Sequence, residues 1–315
     1  MPPSREPERA SPTEPGPVIG LVTDQMDWHA RVLDRALAGF GATVVPFDLA
    51  ACRIETSTRY GLHLPGFGEK LPDAVLVRTL SGGGFEAVTL RLGVLHGLSA
   101  LNVPVWNNPR AIERCVDKSA TSFLLHRAGI PTPATWACES REAAAAIVQS
   151  EGGAFVLKPL FGSQGRGLLM VSKPDELPPP AEVAGGVYYL QRFVGVDRGG
   201  YHDFRLLVSQ GAVIGAMMRH SVHWVTNVKR GGKPIAAVAD GVLKELALAA
   251  VAAVEADFAG VDILIDAAGQ ATVIEVNSMP AWSGLQRTMS ADIAGVLAAD
   301  LVTALARRQQ RGAAV

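Results

Sequence analysis

The chain has 315 residues, 48% of them hydrophobic, with 29 Lys plus Arg against 30 Asp plus Glu. That length predicts two or three domains around a large core, and the balanced charge gives no sign of a nucleic-acid or anionic-membrane partner. The 3 cysteines, Cys52, Cys115 and Cys138, form no CxxC pair, which argues against structural zinc or a disulfide framework and fits a reducing, cytoplasmic setting.

Residues 1–16, MPPSREPERASPTEPG, combine Pro, Ser and mixed charge without an apolar stretch, which predicts a disordered tail and not a signal peptide. From Pro17 to Asn107 strand-like and helix-like patterns alternate: PVIGLVT, the amphipathic WHARVLDRALAGF, TVVPF, DAVLVRT, a helix from Phe85 to Leu101, and VPVW. This alternation predicts a parallel α/β domain over 17–107. Its first strand enters GLVTD and not GxGxxG, so no dinucleotide fingerprint is present. SGGG at 81–84 reads as an ordinary strand-to-helix turn, and NNPR at 107–110 as a linker. A helix from about Asp117 to Ala128, ended by Gly129 and Pro131, opens a second module over 108–190, with a third over 191–315. Both are expected to be α+β with antiparallel pairing. Their elements are an Ala-rich helix near 140–150, the strands AFVLKP, LLMVS, VYYLQRFV, DFRLLVS and VIGAMMR, a helix at 240–256, a hairpin over 260–277, and a terminal helix after Ser290. The most apolar helical stretch, VLKELALAAVAAVEADFAG, carries four charges and reads as a core helix, so no membrane span is predicted. His220 and His223, three apart beside apparent strands, point to opposite faces and read as polar scaffold.

Two stretches carry chemistry. GSQGRG, residues 162–167, lies between two strands, whereas a Walker or Rossmann loop leads from strand to helix. A glycine-rich hairpin is more often a plain turn, but it can also present backbone N–H groups to phosphate oxygens, and Lys158 stands at the end of the strand that enters it. The second stretch is IEVNSMPAW, residues 274–282, which follows GVDILID across the loop Ala267 to Gln270. If Asp266 faces Ala271, antiparallel counting sets Asp262 directly opposite Glu275, where like charges repel. A divalent cation held by Asp262, Glu275 and the amide oxygen of Asn277 would offset the repulsion, and such hard oxygen donors suit Mg²⁺ or Mn²⁺. On spacing alone this reading stands level with a solvated strand face.

Taken together, DKSATSFLLHRAGIPTP, FVLKPLFGSQGRGLLMV, LQRFV, HDFRLLV, TNVKRGG, AGVDIL and IEVNSMPAWSGLQRTMSADIA occur in the order and spacing of the ATP-grasp ligases and resemble most the RimK-like α-L-glutamate ligases, over roughly residues 108–300. The resemblance implies an ATP-grasp fold of two α+β subdomains behind the α/β domain. It also implies ATP and two Mg²⁺ or Mn²⁺ ions as cofactors. Lys118 and Lys158 match the phosphate-contacting lysines, and Gly162, Ser163, Gln164, Gly165 and Gly167 the phosphate loop. Gln191, Arg192 and Phe193 match the adenine hinge, Asp203 and Arg205 the Asp-x-Arg segment, Thr226 and Asn227 a further ATP-contacting stretch, and Asp262, Glu275 and Asn277 the metal ligands. Arg205 or Arg219 would stabilise the oxyanion of acyl transfer. The chain departs from the family pattern at Arg192, where Glu is usual, and at Val225, where a basic residue is usual, which leaves Arg219, Lys229 and Arg230 to supply that charge. Trp282, where small residues are usual, either shapes the acceptor pocket or caps the core.

The implied activity is an ATP-dependent carboxylate–amine ligation through an acylphosphate. Its partners would be ATP, an amino acid, foremost L-glutamate, and a small carboxylate-bearing acceptor. Relatives of this type act on ribosomal protein tails, pterin or deazaflavin cofactors and carrier proteins. Balanced charge disfavours the ribosome, and a pterin such as tetrahydromethanopterin is the preferred expectation. A D-alanine-ligase-like or glutathione-synthetase-like peptide ligase, or a nucleotide-binding regulator without catalysis, are the alternatives; the intact Asp262, Glu275 and Asn277 set weighs against the last. Self-association is left open.

Overall fold

The computed structural model describes residues 16–162, 165–195 and 200–313. The expected tail, Gly16 apart, lies outside the described residues, as do Ser163 and Gln164. The N-terminal part runs β1 (Val18–Val22), α1 (Trp28–Gly39), β2 (Thr43–Phe47), β3 (Arg53–Ile54), β4 (Leu62–His63), β5 (Ala74–Val77), α2 (Phe85–Ala100) and β6 (Val105–Trp106). Apart from the small antiparallel ribbon β3–β4, this is the expected alternation. The remaining strands form a parallel sheet in the order β2-β1-β5-β6. The chain leaves β1 outward to β2 and then returns to build β5 and β6 on the other side. The crevice at the carboxyl ends of β1 and β5 is therefore the topological switch point, the usual ligand position of an open parallel sheet. α1 begins there, with Asp27 as its N-cap, and it buries Ala30, Leu33 and Leu37 at helical spacing.

The segment NNPR is not a loose linker. Asn107 is fully buried. Its amide nitrogen donates to the carbonyls of Phe258 (2.8 Å) and Ser278 (2.5 Å), and its oxygen accepts from the amides of Asp257 (2.7 Å) and Phe258 (2.9 Å). Asn108 then caps α3 (Pro109–Val116), where the sequence predicts a linker; Pro is favoured in a first helical turn. Asp117 caps α4 (Lys118–Arg127), accepting from Ser119 and Ala120.

The central sheet holds β7 (Thr135–Cys138), β8 (Phe155–Lys158), β9 (Leu169–Val171) and β10 (Tyr188–Arg192), antiparallel in the order β7-β10-β8-β9, with α5 (Arg141–Glu151) packed on it. Ala144, Val148, Phe155, Val171, Tyr188 and Leu190 give it a core of its own. β10 runs through residue 190, where the sequence reading placed a division.

The C-terminal sheet is antiparallel in the order β13-β12-β11-β14-β15, built from β11 (Tyr201–Ser209), β12 (Ala212–Ser221), β13 (Lys233–Ala236), β14 (Phe258–Ile265) and β15 (Ala271–Asn277). α6 (Gly241–Val254) covers one face through Leu246, Ala250 and Val254 against Val261, Ile263 and Val276. The other face carries α7 (Ser283–Gln286) and α8 (Ile293–Ala313), whose Leu285, Leu297 and Leu301 join a core continuous with Ile19, Leu33 and Leu37 of the N-terminal domain. Among the described residues no helix is long and apolar enough to cross a membrane.

The β14–β15 hairpin reaches the expected pairing by an unexpected route. Ala271 pairs with Ile265 and not with Asp266, because the Asp266 carboxylate closes a longer loop by accepting from the amides of Ala268 (2.9 Å) and Gln270 (2.8 Å). The register then shifts at a bulge between Asp262 and Ile263, with Ile274 as the extra residue, and Asp262 ends opposite Glu275. The bulge also resets which face each residue takes. Val273 and Val276 both reach the α6 core, so Glu275 and Asn277 are turned to the other side.

Candidate active site

The central and C-terminal sheets face each other across a cavity. From the central side come Lys158 at the end of β8, Gln191, Arg192 and Phe193 at the end of β10, and Gly162 and Gly165 of the glycine loop; Lys118, the first residue of α4, enters beside them. From the other side come Asp203 on β11, Arg219 on β12, Thr226 and Asn227 in the following loop, Asp262 on β14 and Glu275 on β15. Of the expected residues, Arg205, Gly167 and Asn277 do not line the cavity. Arg205 lies behind Asp262, and Gly167 packs so closely on Pro159 that a Cβ would come within 2.8 Å of its ring. Asn277 sits one row further along, opposite Gly260.

Cross-strand register builds a ladder of alternating charge. Asp262 pairs with Arg205 on one side and Glu275 on the other, and Asp203 pairs with Arg219. Arg205 donates through Nε and Nη2 to the two Asp262 oxygens, each at 2.6 Å. Arg219 donates through Nε to Asp203 at 2.7 Å, through Nη2 to its other oxygen, and through Nη2 to Asp262 at 3.0 Å. Burial works against charge on Arg219, but Asp262 and Asp203 outweigh it and hold the guanidinium protonated. Burial likewise raises Asp262, and Arg205 and Arg219 overcome it and keep the carboxyl below its ordinary value. The repulsion expected between Asp262 and Glu275 is thus offset by two guanidinium groups, without need of a cation, which corrects the physical premise of the hairpin reading.

Lys158 is different. Its ammonium donates to Gln191 Oε1 at 2.6 Å, a neutral acceptor, and burial pushes its pKa down to about 8 despite Glu275, with Lys118 adding to the fall. Because Gln191 turns its oxygen to Lys158, its buried Nε2 is left without a partner. Lys118 donates to the Gly162 carbonyl at 2.6 Å and approaches Glu275 at 3.8 Å. The glycine loop is folded onto the opposite wall: Gly165, at φ +67°, leaves its absent Cβ only 2.7 Å from Asn227 Oδ1, and Arg230 donates to the Gly165 carbonyl at 3.1 Å.

At the far end, the amides of Arg192 and Phe193 are taken by the carbonyls of Ala134 and Ala154, at 2.8 and 2.9 Å. Val194, the next hinge residue, lines the cavity with Val156, Leu168, Leu264 and Ile274 to make an apolar slot, closed by the Phe193–Trp224 edge contact at 6.3 Å. The sequence reading missed this slot, because its residues look like any buried strand position. Among the described residues no three acidic, His or Cys side chains converge on a metal position. The Asp262, Glu275 and Asn277 set, with two acids and an amide, is nevertheless a hard-oxygen set that fits Mg²⁺ or Mn²⁺. Among the described residues Glu275 has only the long Lys118 contact, and the buried Asn277 Nδ2 has no partner.

A family model for the RimK-like ATP-grasp domain matches residues 115–301. The tetrahydromethanopterin:α-L-glutamate ligase of Methanosarcina acetivorans is 33% identical over 305 residues, covering 85% of this chain and 93% of that one. The chain belongs to the RimK-like ATP-grasp family. The ribosomal protein bS6–L-glutamate ligase of Escherichia fergusonii is 32% identical over 237 residues, covering 72% of this chain and 76% of that one. The ATP-grasp ligase PsnB, solved with a minimal precursor, Mg and ADP, superposes with a TM-score of 0.68 at 21% identity, over 91% of this chain and 96% of that one, and shows the shared fold. This is a family of ATP- and Mg²⁺-dependent ligases that form C–N bonds.

The departures from the RimK-like pattern have local explanations. The Arg192 side chain turns away from the hinge: it donates to the Gly152 carbonyl, pairs with Glu151 at 3.1 Å and lies over the Phe155 ring at 4.4 Å, tying the end of α5 to β10. Of the cations considered in place of Val225, Arg219 lines the cavity and Arg230 holds the glycine loop. Trp282 is 1% exposed, packed edge-on to His29 at 4.7 Å and under the Arg78 guanidinium at 5.5 Å.

Proposed function

We propose that this RimK-like chain joins L-glutamate through its amine to a small carboxylate-bearing acceptor, with a pterin cofactor of the tetrahydromethanopterin type preferred. The observation that carries this reading is the cavity itself. Two lysines and an unpartnered amide donor stand at one wall, and the Arg219–Asp262–Glu275 ladder stands at the other. The names of the M. acetivorans and E. fergusonii relatives support glutamate as the donor, and the former supports the pterin.

In this reading the adenine enters the apolar slot and meets the Val194 amide, while Lys118, Lys158 and the glycine-loop amides bind the phosphates. Asp262, Glu275 and Asn277 would hold two Mg²⁺ or Mn²⁺ ions, which when bound neutralise phosphate charge. An acceptor carboxylate oxygen attacks the γ-phosphorus and ADP leaves, giving an acylphosphate. The amine of glutamate then attacks the acyl carbon, phosphate leaves, and an amide and a proton remain. Arg219, held charged by Asp203 and Asp262, faces the cavity and stabilises the oxyanion; Arg205 acts through Asp262, which it orients. Closure of the glycine loop excludes water that would hydrolyse the acylphosphate. An ATP-consuming reaction and three free cysteines favour a cytoplasmic enzyme. The test is ADP release from purified protein with Mg²⁺, a panel of acids and L-glutamate. Release that requires both acid and glutamate is expected, and ADP formation that is absent, or indifferent to either, would overturn the reading.

A further inference from the structure

The N-terminal domain contributes a second cationic cluster that the nucleotide cavity does not use. Arg78 lies at the carboxyl end of β5, on the switch-point crevice, and is 8% exposed. Among the described residues its guanidinium has one hydrogen bond, from Nη1 to the Met279 carbonyl at 3.3 Å, and one ion pair, to Asp27 at 3.8 Å; Nε has no partner. Asp27 is not free to come closer. Its Oδ1 accepts from the Ala30 amide at 2.8 Å as the cap of α1, and its Oδ2 contacts His29 Nδ1 at 3.2 Å. The imidazole is fixed in turn, because Nε2 accepts from the amides of Trp282 (3.0 Å) and Ser283 (3.2 Å). Beside the guanidinium, the buried Trp282 Nε1–H is also without an acceptor. Two donor-only groups, both over nine-tenths buried and both short of acceptors, thus share one place.

That place adjoins the reaction end of the cavity and not the hinge. Met279 follows Asn277 by two residues, and Pro280 packs on Gly260, the cross-strand partner of Asn277, close to Arg205. We propose that Arg78 and the Trp282 indole N–H form a carboxylate-binding subsite that anchors a non-reacting carboxylate of a substrate. A planar fork of N–H donors matches a carboxylate, and an anion there supplies the acceptor that Asp27 is held too far away to give. Its role in ligation rests on the proposed function; its affinity for a carboxylate does not.

The probe is glutarate, a diacid without an amine, titrated calorimetrically into the full chain loaded with AMPPNP and Mg²⁺. Wild type is expected to bind glutarate, and Arg78→Gln to weaken it at least tenfold, the order of one bidentate charge-assisted contact, with AMPPNP affinity unchanged within twofold. Trp282→Phe removes the indole N–H and leaves a smaller aromatic ring in its place, and is expected to cost glutarate about threefold. It decides the matter should Arg78→Gln fail to fold in a thermal melt. In the ADP-release assay, competition of glutarate against L-glutamate assigns the anchored carboxylate to the amine donor, and competition against the acid assigns it to the acceptor. No binding of glutarate by wild type, or glutarate affinity unmoved by both variants, means a bridging water only and overturns the proposal. Parallel loss of AMPPNP and glutarate overturns it as well. Glutarate binding lost in Arg78→Gln without any acid-dependent ADP release would sink the ligase reading and leave the subsite standing.

Discussion

Two buried guanidinium clusters flank the end of the β14–β15 hairpin, and they are satisfied to very different degrees. Arg205 and Arg219 are locked onto Asp262 and Asp203 through contacts of 2.6 to 3.0 Å, each acid accepting from the arginine of the adjoining strand and Asp262 also from Arg219 one strand beyond. Arg78, as deeply buried, has contacts of 3.3 and 3.8 Å and an orphaned Nε. Burial alone therefore does not say what a cation is for. Where cross-strand register supplies matched carboxylates the charge is fixed by the frame, even where it faces the cavity as at Arg219, and where the nearest acid is spent on a helix cap the charge is left without a matched partner.

The comparison breaks first, and most severely, at Arg219. Arg219→Met would leave Asp203 partnerless and Asp262 with Arg205 alone, at a cost of about 3–5 kcal/mol in unfolding free energy, whereas Arg78→Gln should cost about 1 kcal/mol or less. Denaturant melts of both variants check this, and equal losses would erase the distinction. Next is Glu275→Gln. Since Asp262 is already neutralised by arginines and Glu275 has, among the described residues, only a 3.8 Å contact with Lys118, the metal-free melting temperature should hardly move. Turnover should fall on the order of 10²-fold, through loss of an anionic ligand. Near-wild-type turnover would remove Glu275 from the metal set.

Lys158 is a third kind of cation, half-buried and bonded to a neutral amide, and it sharpens the comparison through pH. Its pKa lies near 8 in the folded chain against 10.5 for a free lysine. Between these values the unfolded chain binds more protons, so nucleotide-free stability should rise with pH from about 8 to 10.5. Phosphate would restore the charge, so ATP binding near pH 9 should take up a proton and affinity should fall up to tenfold per unit above 8. Calorimetry in buffers of different ionisation enthalpy reads the uptake. Lys158→Met should abolish both trends, and trends that survive it belong to another group.

Much of this was legible in the sequence, for identifiable reasons. The α/β alternation of the first domain, α1 and the antiparallel strands follow from periodicity, which a single chain carries in full. The Asp262–Glu275 pairing matches the sequence expectation because two irregularities cancel, a loop closed by the Asp266 side chain and a bulge at Ile274; neither leaves a mark in apolar alternation. Long-range polar contacts were not legible at all. Asn107 reads as a linker residue and Arg192 as a hinge contact, and nothing marks His29, because a partner 40 to 253 residues away has no local signature. The edge strands β7 and β13 were missed for their brevity.

The Asn107 clamp bears on how nucleotide enters. Four hydrogen bonds and a continuous core fasten the N-terminal domain to the C-terminal sheet, while the central sheet keeps its own core. The Phe258 amide should accordingly exchange slowly with or without nucleotide, and rapid exchange in the free chain would count against a single fixed jaw. Lys118 stands on α4, which packs against α6 and β15 and also against β7 of the central sheet, and Lys158 stands on β8 of the central sheet. The two lysines thus reach the phosphate position from separate elements, a helix wedged between the sheets and a strand end, so the positive charge that meets ATP depends on how the two are held together.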